Sequence, residues 1–186
     1  MQWKDNLSPS SLDKLSSFTD LIPLWNSRIN LTGYRTRQEI DGLLIGESVL
    51  AILKLQKEGI AKAGSTILDF GSGAGIPGLV WALLNPSIQI TSLEIRQKKI
   101  AFQKEVVREL DLKARIMLGK FPEAVADERF DLIVSRAIRF EPKIWDKGRP
   151  LLNAGGLFVR FSAGNVRESE WQSIPVSDRT SLQISS

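Results

Sequence analysis

The stretch Thr66-Ile67-Leu68-Asp69-Phe70-Gly71-Ser72-Gly73-Ala74-Gly75-Ile76-Pro77-Gly78 decides how this chain folds. Its first five residues are a short apolar run halted by glycines, which spells a buried strand. Gly71, Gly73 and Gly75 then recur at every second position. Glycine there allows unusual φ/ψ values and lets a ligand approach the main chain closely. From Ile76 an apolar segment runs as a helix to Leu84. A strand, a glycine turn and a helix in that order form the place where α/β sheets bind ligands, beyond the carboxyl ends of their strands.

On the C-terminal side the alternation continues. Ile88 to Glu94, Ala114 to Leu118, Phe130 to Ser135 and Leu157 to Phe161 read as strands, the last introduced by Gly155-Gly156. Helices are expected over Arg96–Leu110 and Phe140–Leu152. Strands separated by helices imply a parallel sheet with right-handed crossovers. From Trp171 to Ser186 two β-like runs split by Ser177-Asp178 spell an antiparallel hairpin closing one edge. On the N-terminal side the first 60 residues read as helical. Ser8-Pro9 starts a helix, since the hydroxyl accepts an orphan N–H and proline has none to lose. Leu12, Leu15, Phe18, Ile22 and Trp25 form one stripe at helical spacing. After the loop Asn30-Leu31-Thr32-Gly33, a second helix runs through Ile40, Leu43, Leu44, Ser48, Ile52 and Leu55. The expected organisation is one domain, residues 1–186, made of a helical cap (1–62) on an α/β core (63–186).

Composition narrows the chemistry. The 186 residues contain no histidine and no cysteine. That excludes a Ser-His-Asp triad, a thiol nucleophile, disulfides and histidine metal sites. No metal is expected. A net charge of +4 is compatible with an RNA partner and equally with plain solubility. No long apolar run suggests a membrane span, and the start lacks a signal-peptide pattern, so a cytoplasmic location is expected. No exposed heptad or long apolar stripe demands a partner, which favours a monomer.

Glu94 closes the second strand about 20 residues beyond the glycines, where a carboxylate accepts the ribose hydroxyls of an adenosine. The plain alternative is a tight turn beside a surface glutamate. Gly73-Ala74-Gly75-Ile76-Pro77-Gly78 also satisfies the dinucleotide pattern G-x-G-x-x-G. Three features point instead to S-adenosylmethionine (SAM). The glycines begin earlier, after Asp69 at the strand end. Pro77 withdraws an N–H that a pyrophosphate would want. Two helices precede the first strand and a hairpin ends the sheet, which is the Rossmann-like layout of class I SAM-dependent methyltransferases. Asp69 is expected to order the loop or to hold the amino group of methionine.

The stretch Leu68 to Gly78, with Asn30-Leu31-Thr32, Lys98-Lys99-Ile100-Ala101-Phe102, Phe130-Asp131 and Ser135-Arg136-Ala137, resembles the bacterial 16S ribosomal RNA methyltransferase G family (RsmG, or GidB). The resemblance covers about Asn30 to Phe161, with an echo at Asp178-Arg179-Thr180. It implies methylation of guanine N7 in 16S ribosomal RNA, with that RNA or the small ribosomal subunit as partner. It also implies cofactor contacts from Gly71 and Ile76 in the loop that contains Ser72, Gly73 and Gly75. Phe121-Pro122 would pass the adenine end, and Arg136 would lie at the catalytic and cofactor site. There Arg136 would touch the methionine carboxylate or guanine O6 without acting as an acid or base. The chain departs from the family at several positions. Leu43-Leu44 replaces an Arg-His pair, Glu47-Ser48 an Asp-Ser, and Phe121-Pro122 an Ala-Glu, while Phe161-Ser162-Ala163-Gly164 lacks a lysine. Those departures keep open another acceptor, small molecule or RNA, and a non-catalytic SAM-fold binding protein. Arg35, Arg37, Arg96, Lys98, Lys99 and Lys104 are either RNA-phosphate contacts or a solvated face. Trp3, Trp25, Trp81 and Trp145 are either base-stacking or core residues.

Overall fold

The computed structural model describes residues 2–136, 142–163 and 171–185. Ala137, Phe140, Gly164 and Ser186, each part of an expectation from sequence, lie outside these residues. The sheet has seven strands: β1 (Thr66–Phe70), β2 (Gln89–Glu94), β3 (Ala114–Leu118), β4 (Phe130–Arg136), β5 (Leu152–Ala163), β6 (Gln172–Pro175) and β7 (Thr180–Ser185). Their order is β3-β2-β1-β4-β5-β7-β6. The first five pair in parallel, and β7 runs antiparallel between β5 and the outermost β6. The order reverses between β2-β1 and β4, so the carboxyl end of β1 sits at the switch point of the sheet. The turn after β1 is the glycine stretch.

Side-chain alternation along β1 feeds both faces. Ile67 joins a core shared with the N-terminal helices, whereas Leu68 and Phe70 join a second cluster with Ile133, Trp145 and Phe158. Helix α1 (Pro9–Asn26) is capped as expected, the Ser8 hydroxyl accepting from the Ser11 N–H at 3.1 Å. Its stripe buries Leu15, Phe18 and Ile22, and Phe102 of helix α5 (Gln97–Glu109) packs against Phe18 and Trp25 at 6.3 and 5.6 Å between ring centroids. Each such fully buried Phe or Ile contributes about 1.5–3 kcal/mol relative to exposure. Tertiary packing rather than helix propensity therefore holds the cap on the core.

Two expectations about local structure need correction. The second helix is not a plain α-helix. It begins as α2 (Arg37–Glu39), widens into a π segment (Ile40–Gly46) and continues as α3 (Glu47–Lys57). Trp3 fills the space that a Cβ at Gly46 would occupy, 2.5 Å from its Nε1, and the Arg136 guanidinium inserts on the carbonyls of Leu43 and Leu44. Both intrusions are tertiary, and local periodicity cannot report them. Similarly, Gly155-Gly156 lie inside β5 rather than ahead of it. Phe130 pairs with Leu152 but Leu132 with Leu157, so four residues of β5 stand against Asp131 alone, three more than an even ladder holds, with Gly155 at φ +74°. The helix expected to reach Leu152 accordingly ends earlier, as α6 (Pro142–Gly148) and a 3₁₀ turn (Arg149–Leu151). Helix α4 (Gly78–Leu84) follows the glycine turn.

Candidate functional site

The turn after β1 needs its glycines individually. Gly71, Gly73 and Gly75 have φ of +65°, +59° and +78°, the left-handed region that side chains disfavour. The turn is hung on the next strand, since the N–H groups of Gly71 and Ser72 donate to the Leu93 carbonyl at 2.8 and 3.2 Å. Gly78 has ordinary backbone but no room, because a Cβ there would stand 2.8 Å from Asp69 Oδ2. The Gly78 N–H donates to that oxygen at 2.8 Å, tying the start of α4 back to β1. Of the two roles expected for Asp69, ordering the loop is the one its contact serves.

Asp69 is fully buried and its Oδ1 has no hydrogen-bond partner among the described residues. Burial pushes its carboxyl up to about 7, opposed by the Gly78 N–H and aided by the nearby Glu94 charge. The folded chain thus holds a proton that the unfolded chain releases above 3.8, its ordinary value. This contribution to stability is complete below the unfolded value and is lost as pH rises through the folded one. Its slope is at most about 1.4 kcal/mol per pH unit. Urea melts at pH 5 and pH 7.5 should therefore show a decline that Asp69→Asn flattens. An identical pH dependence in both proteins would remove Asp69 as its source.

Glu94 is buried with both oxygens turned to backbone, accepting from Gly73 N–H at 2.9 Å and from Arg96 N–H at 2.9 Å. Each carboxylate oxygen retains a further lone pair, so a ribose hydroxyl pair still has acceptors. Gln103 locks the other side of the turn. Its Nε2 donates to Ser72 Oγ at 2.8 Å and to the Gly73 carbonyl at 2.9 Å, while its Oε1 accepts from Ser92 Oγ at 2.8 Å. Sequence reading passes over Gln103. Its one signal is a polar residue on the buried face of α5, between Phe102 and Val106.

The N-terminal cap supplies the opposite wall. Asn26 at the end of α1 accepts from the N–H groups of Leu31 and Thr32 at 2.8 and 3.1 Å and donates to the Thr32 carbonyl at 3.1 Å. This one side chain folds residues 30–34 over the glycine turn. Arg136, at the end of β4, reaches the cap from the core. Its Nη1 donates to the Leu44 carbonyl at 2.8 Å and Ser48 Oγ at 2.6 Å, and its Nη2 to the Leu43 carbonyl at 2.7 Å. Burial lowers the pKa of Arg136, and neighbouring Tyr34, Glu47 and Asp69 oppose that shift. Three of its five N–H donors are spent on the cap.

Two clefts result. The larger, about 530 Å³, is walled by Thr32-Gly33-Tyr34, the glycine turn, Lys99 and Arg136. The smaller, about 210 Å³ and mostly apolar, lies between Gly71, Leu93, Ile95 and Phe121. Gly71 belongs to both, and the Glu94 carboxylate accepts from the N–H of Gly73 in the wall of the larger. Of the residues singled out from sequence, Gly71, Ser72, Gly73, Ile76 and Arg136 line the first and Phe121 the second. Asp69, Gly75, Glu94 and Pro122 line neither; they support the walls from behind. Phe121 lies flat on Phe70, 4.2 Å between centroids, as part of an aromatic stack that includes Trp145. Ile95, 62% exposed at the lip of the smaller cleft, carried no signal in sequence beyond following Glu94. Another hollow, about 480 Å³, opens at the amino ends of the strands around Thr66, Ile88 and Phe130, away from the glycine turn.

The other candidates separate cleanly. Arg37 is committed to Asp20 at 2.6 Å and to Ser16 at 2.9 Å. Arg35, Arg96, Lys98 and Lys104 are exposed. Trp3, Trp81 and Trp145 are buried and Trp25 packs on Phe102, so none of these presents a stacking platform. Among the described residues, no helix is long and apolar enough to cross a membrane, and no group of three His, Cys, Asp or Glu could hold a metal ion.

The family model described as rRNA small subunit methyltransferase G matches residues 11–180. The chain belongs to this family. Members similar to it carry the name ribosomal RNA small subunit methyltransferase G. One from Lachnoclostridium phytofermentans is 32% identical over 168 residues, covering 88% of this chain and 68% of the relative. One from Chromohalobacter salexigens is 33% identical, covering 88% and 74%. One from Neisseria meningitidis is 36% identical, covering 71% and 61%. This family member therefore spans roughly two thirds of the length of such relatives, 61% to 74%. Among solved structures, the C-terminal domain of precorrin-6Y C5,15-methyltransferase from Rhodobacter capsulatus has a TM-score of 0.56 at 19% identity, covering 84% of this chain and 92% of that one. A SAM-dependent methyltransferase from Geobacter sulfurreducens in complex with S-adenosyl-L-homocysteine has a TM-score of 0.54 at 18% identity, covering 85% and 58%. At such identities the likeness lies in the fold, which is the Rossmann-like fold expected from sequence.

Proposed function

We propose that this chain is a SAM-dependent methyltransferase that acts on N7 of a guanine in 16S ribosomal RNA, in the cytoplasm. The observation that carries this reading is the pair of clefts joined at Gly71, with Glu94 bonded to Gly73 two residues along the same turn. The layout suits one elongated ligand, polar at one end and flat and apolar at the other. In this reading the turn of Gly71, Ser72, Gly73 and Ile76, with Lys99, holds the methionine end. Glu94 takes the ribose hydroxyls, and Ile95 and Phe121 enclose the adenine. When bound, SAM supplies an electrophilic methyl group on its sulfonium sulfur.

Guanine N7 carries no proton at neutral pH, so no base is needed to activate it. A chain without histidine or cysteine is therefore equipped for the reaction. Its residues have a positioning task, which is to hold the attacking lone pair in line with the methyl and to exclude water. Arg136 serves by fixing the cap to the core, so that the wall made by Thr32 to Tyr34 faces the glycine turn at a set distance. Its remaining donors can meet the methionine carboxylate.

The test is tritium-labelled SAM with 16S ribosomal RNA that lacks its native methylation, followed by mapping of the labelled base. Label at one guanine N7 is expected. Label in metabolite extracts but not in RNA would reassign the acceptor. Calorimetry showing no heat with either SAM or S-adenosylhomocysteine would overturn the reading altogether.

A further inference from the structure

Next to the larger cleft, beyond the ends of β4, β5 and β7, lies another hollow of about 350 Å³. It shares Tyr34 and Arg136 with the glycine-turn cleft, and its other walls include Leu43, Glu47, Phe161 and Arg179. Its volume falls within the range of small-molecule sites.

The side chains around it are unlike in chemistry. Glu47 is 9% exposed, and its Oε2 accepts from Ser177 Oγ at 2.7 Å. That bond pins the carboxylate to the β6–β7 turn, whose own N–H groups at Arg179 and Thr180 donate to the same Ser177 Oγ at 3.1 Å each. The Oε1 of Glu47 receives no hydrogen bond from the described residues. A buried carboxylate is acceptor-only and demands donors. Arg136 lies nearby, but its terminal nitrogens are turned to Leu43, Leu44 and Ser48. Arg179 is exposed at the rim and, among the described residues, its guanidinium pairs with no carboxylate. Tyr34 and Phe161 add flat apolar surface.

A pinned carboxylate with an open oxygen, aromatic flanks and an arginine at the rim suit a nucleotide whose base presents two adjacent N–H donors. Among the four RNA bases only guanine does so, through N1–H and the N2 amine. Adenine and cytosine each set an amine beside an acceptor, and uracil flanks its single N–H with carbonyls. We infer that this hollow receives the acceptor guanine, with Glu47 reading its Watson–Crick edge and Arg179 meeting the backbone phosphate. Held by that edge, the base directs N7, on its far side, away from Glu47 and toward the cleft shared through Tyr34 and Arg136. The inference rests on the guanine-N7 reading and adds to it the residue that selects the base.

The test pairs one conservative variant with one altered base. Guanosine, inosine and adenosine 5′-monophosphates are titrated into the chain saturated with S-adenosylhomocysteine. Inosine lacks only the N2 amine. Wild type is expected to bind the guanosine nucleotide about tenfold more tightly than the inosine one, the worth of one hydrogen bond to a charged acceptor. Glu47→Gln keeps the size and the Ser177 contact but opposes the base donors with an amide; it should erase the difference while S-adenosylhomocysteine affinity stays unchanged. Arg179→Ala should weaken all three nucleotides alike. An intact guanosine-to-inosine ratio in Glu47→Gln would overturn the inference, and so would wild type binding the two nucleotides equally. Methyl transfer to 16S RNA that persists in Glu47→Gln at the wild-type rate would refute the role of Glu47 while leaving the methyltransferase reading standing. Glu47-dependent guanosine preference in a chain that transfers no methyl to RNA would do the reverse.

Discussion

Gly75→Ala is expected to lose S-adenosylhomocysteine binding and a large part of the chain's stability. Two costs coincide at this position. With φ at +78°, alanine is held in the left-handed region, at about 1–2 kcal/mol. The added Cβ would also stand 2.5 Å from Leu79 Cδ1 and 2.8 Å from its Cγ, and Leu79 is fully buried, with no free volume to retreat into. Overpacking of that kind costs about 1–3 kcal/mol. Together they give about 2–5 kcal/mol, and for a chain of this size a melting temperature lower by about 2–4 °C per kcal/mol. The turn can relieve the strain only by shifting its backbone, which moves the Ser72 and Gly73 atoms that Gln103 holds. Affinity should therefore fall further than stability alone requires. Gly64→Ala is the control. It too has positive φ, at +84°, but meets nothing within 4 Å of its added Cβ and stands outside the clefts, so it should cost only the backbone part. Wild-type melting and affinity in Gly75→Ala would show that the turn tolerates side chains and is not the built cradle described above.

The second large effect is at Arg136. Truncation to alanine removes the donors from the Leu43 and Leu44 carbonyls and from Ser48 Oγ in one step. Leaving buried acceptors unpaired costs about 1–3 kcal/mol each. With three acceptors affected, a loss of at least about 3 kcal/mol is expected for Arg136→Ala. Arg136→Lys should recover only part of it, since an ammonium is a point charge that cannot span three acceptors as a planar fork does. Hydrogen exchange locates the effect. Amides of the π segment Ile40–Gly46 should exchange faster in Arg136→Ala, well before those of β1 and β4. Unchanged protection there would mean that the cap stays docked without the arginine, leaving Arg136 a role only toward ligand.

How far the site could be read from sequence varied with the range of the interaction. The glycine turn was legible because its cause is local: positive φ restricts the residue type wherever it occurs. Ser8 was legible as a cap for the same reason, and the strand–helix alternation of the core because hydrophobic period is a property of consecutive residues. Asp69 was legible as a loop organiser from its place at the end of β1, but the orphaned Oδ1 behind that turn depends on complete burial among distant elements. Gln103 and Asn26, which lock the two walls of the larger cleft, went unread. Each is an ordinary amide on an amphipathic helix until the element it faces is known. The sequence left the tryptophans open between stacking and core, and Trp3 and Trp145, which stand outside any clear stripe, are core residues, buried by Gly46 and by the Phe70–Phe158 stack.

From its order of residues alone, then, this chain commits to a glycine turn between strand and helix, to a parallel sheet with a terminal hairpin, and to chemistry without imidazole or thiol. Those properties follow from steric limits and side-chain inventory within a few consecutive positions. Tertiary structure decided the rest: that the second helix opens into a π segment, that Arg136 spends its donors on that segment, and that Glu47 is pinned by Ser177 with an oxygen to spare. Each of these joins residues about 90 to 130 positions apart, and a hydrogen bond across such a separation is set by how sheet and cap pack, which no local pattern encodes.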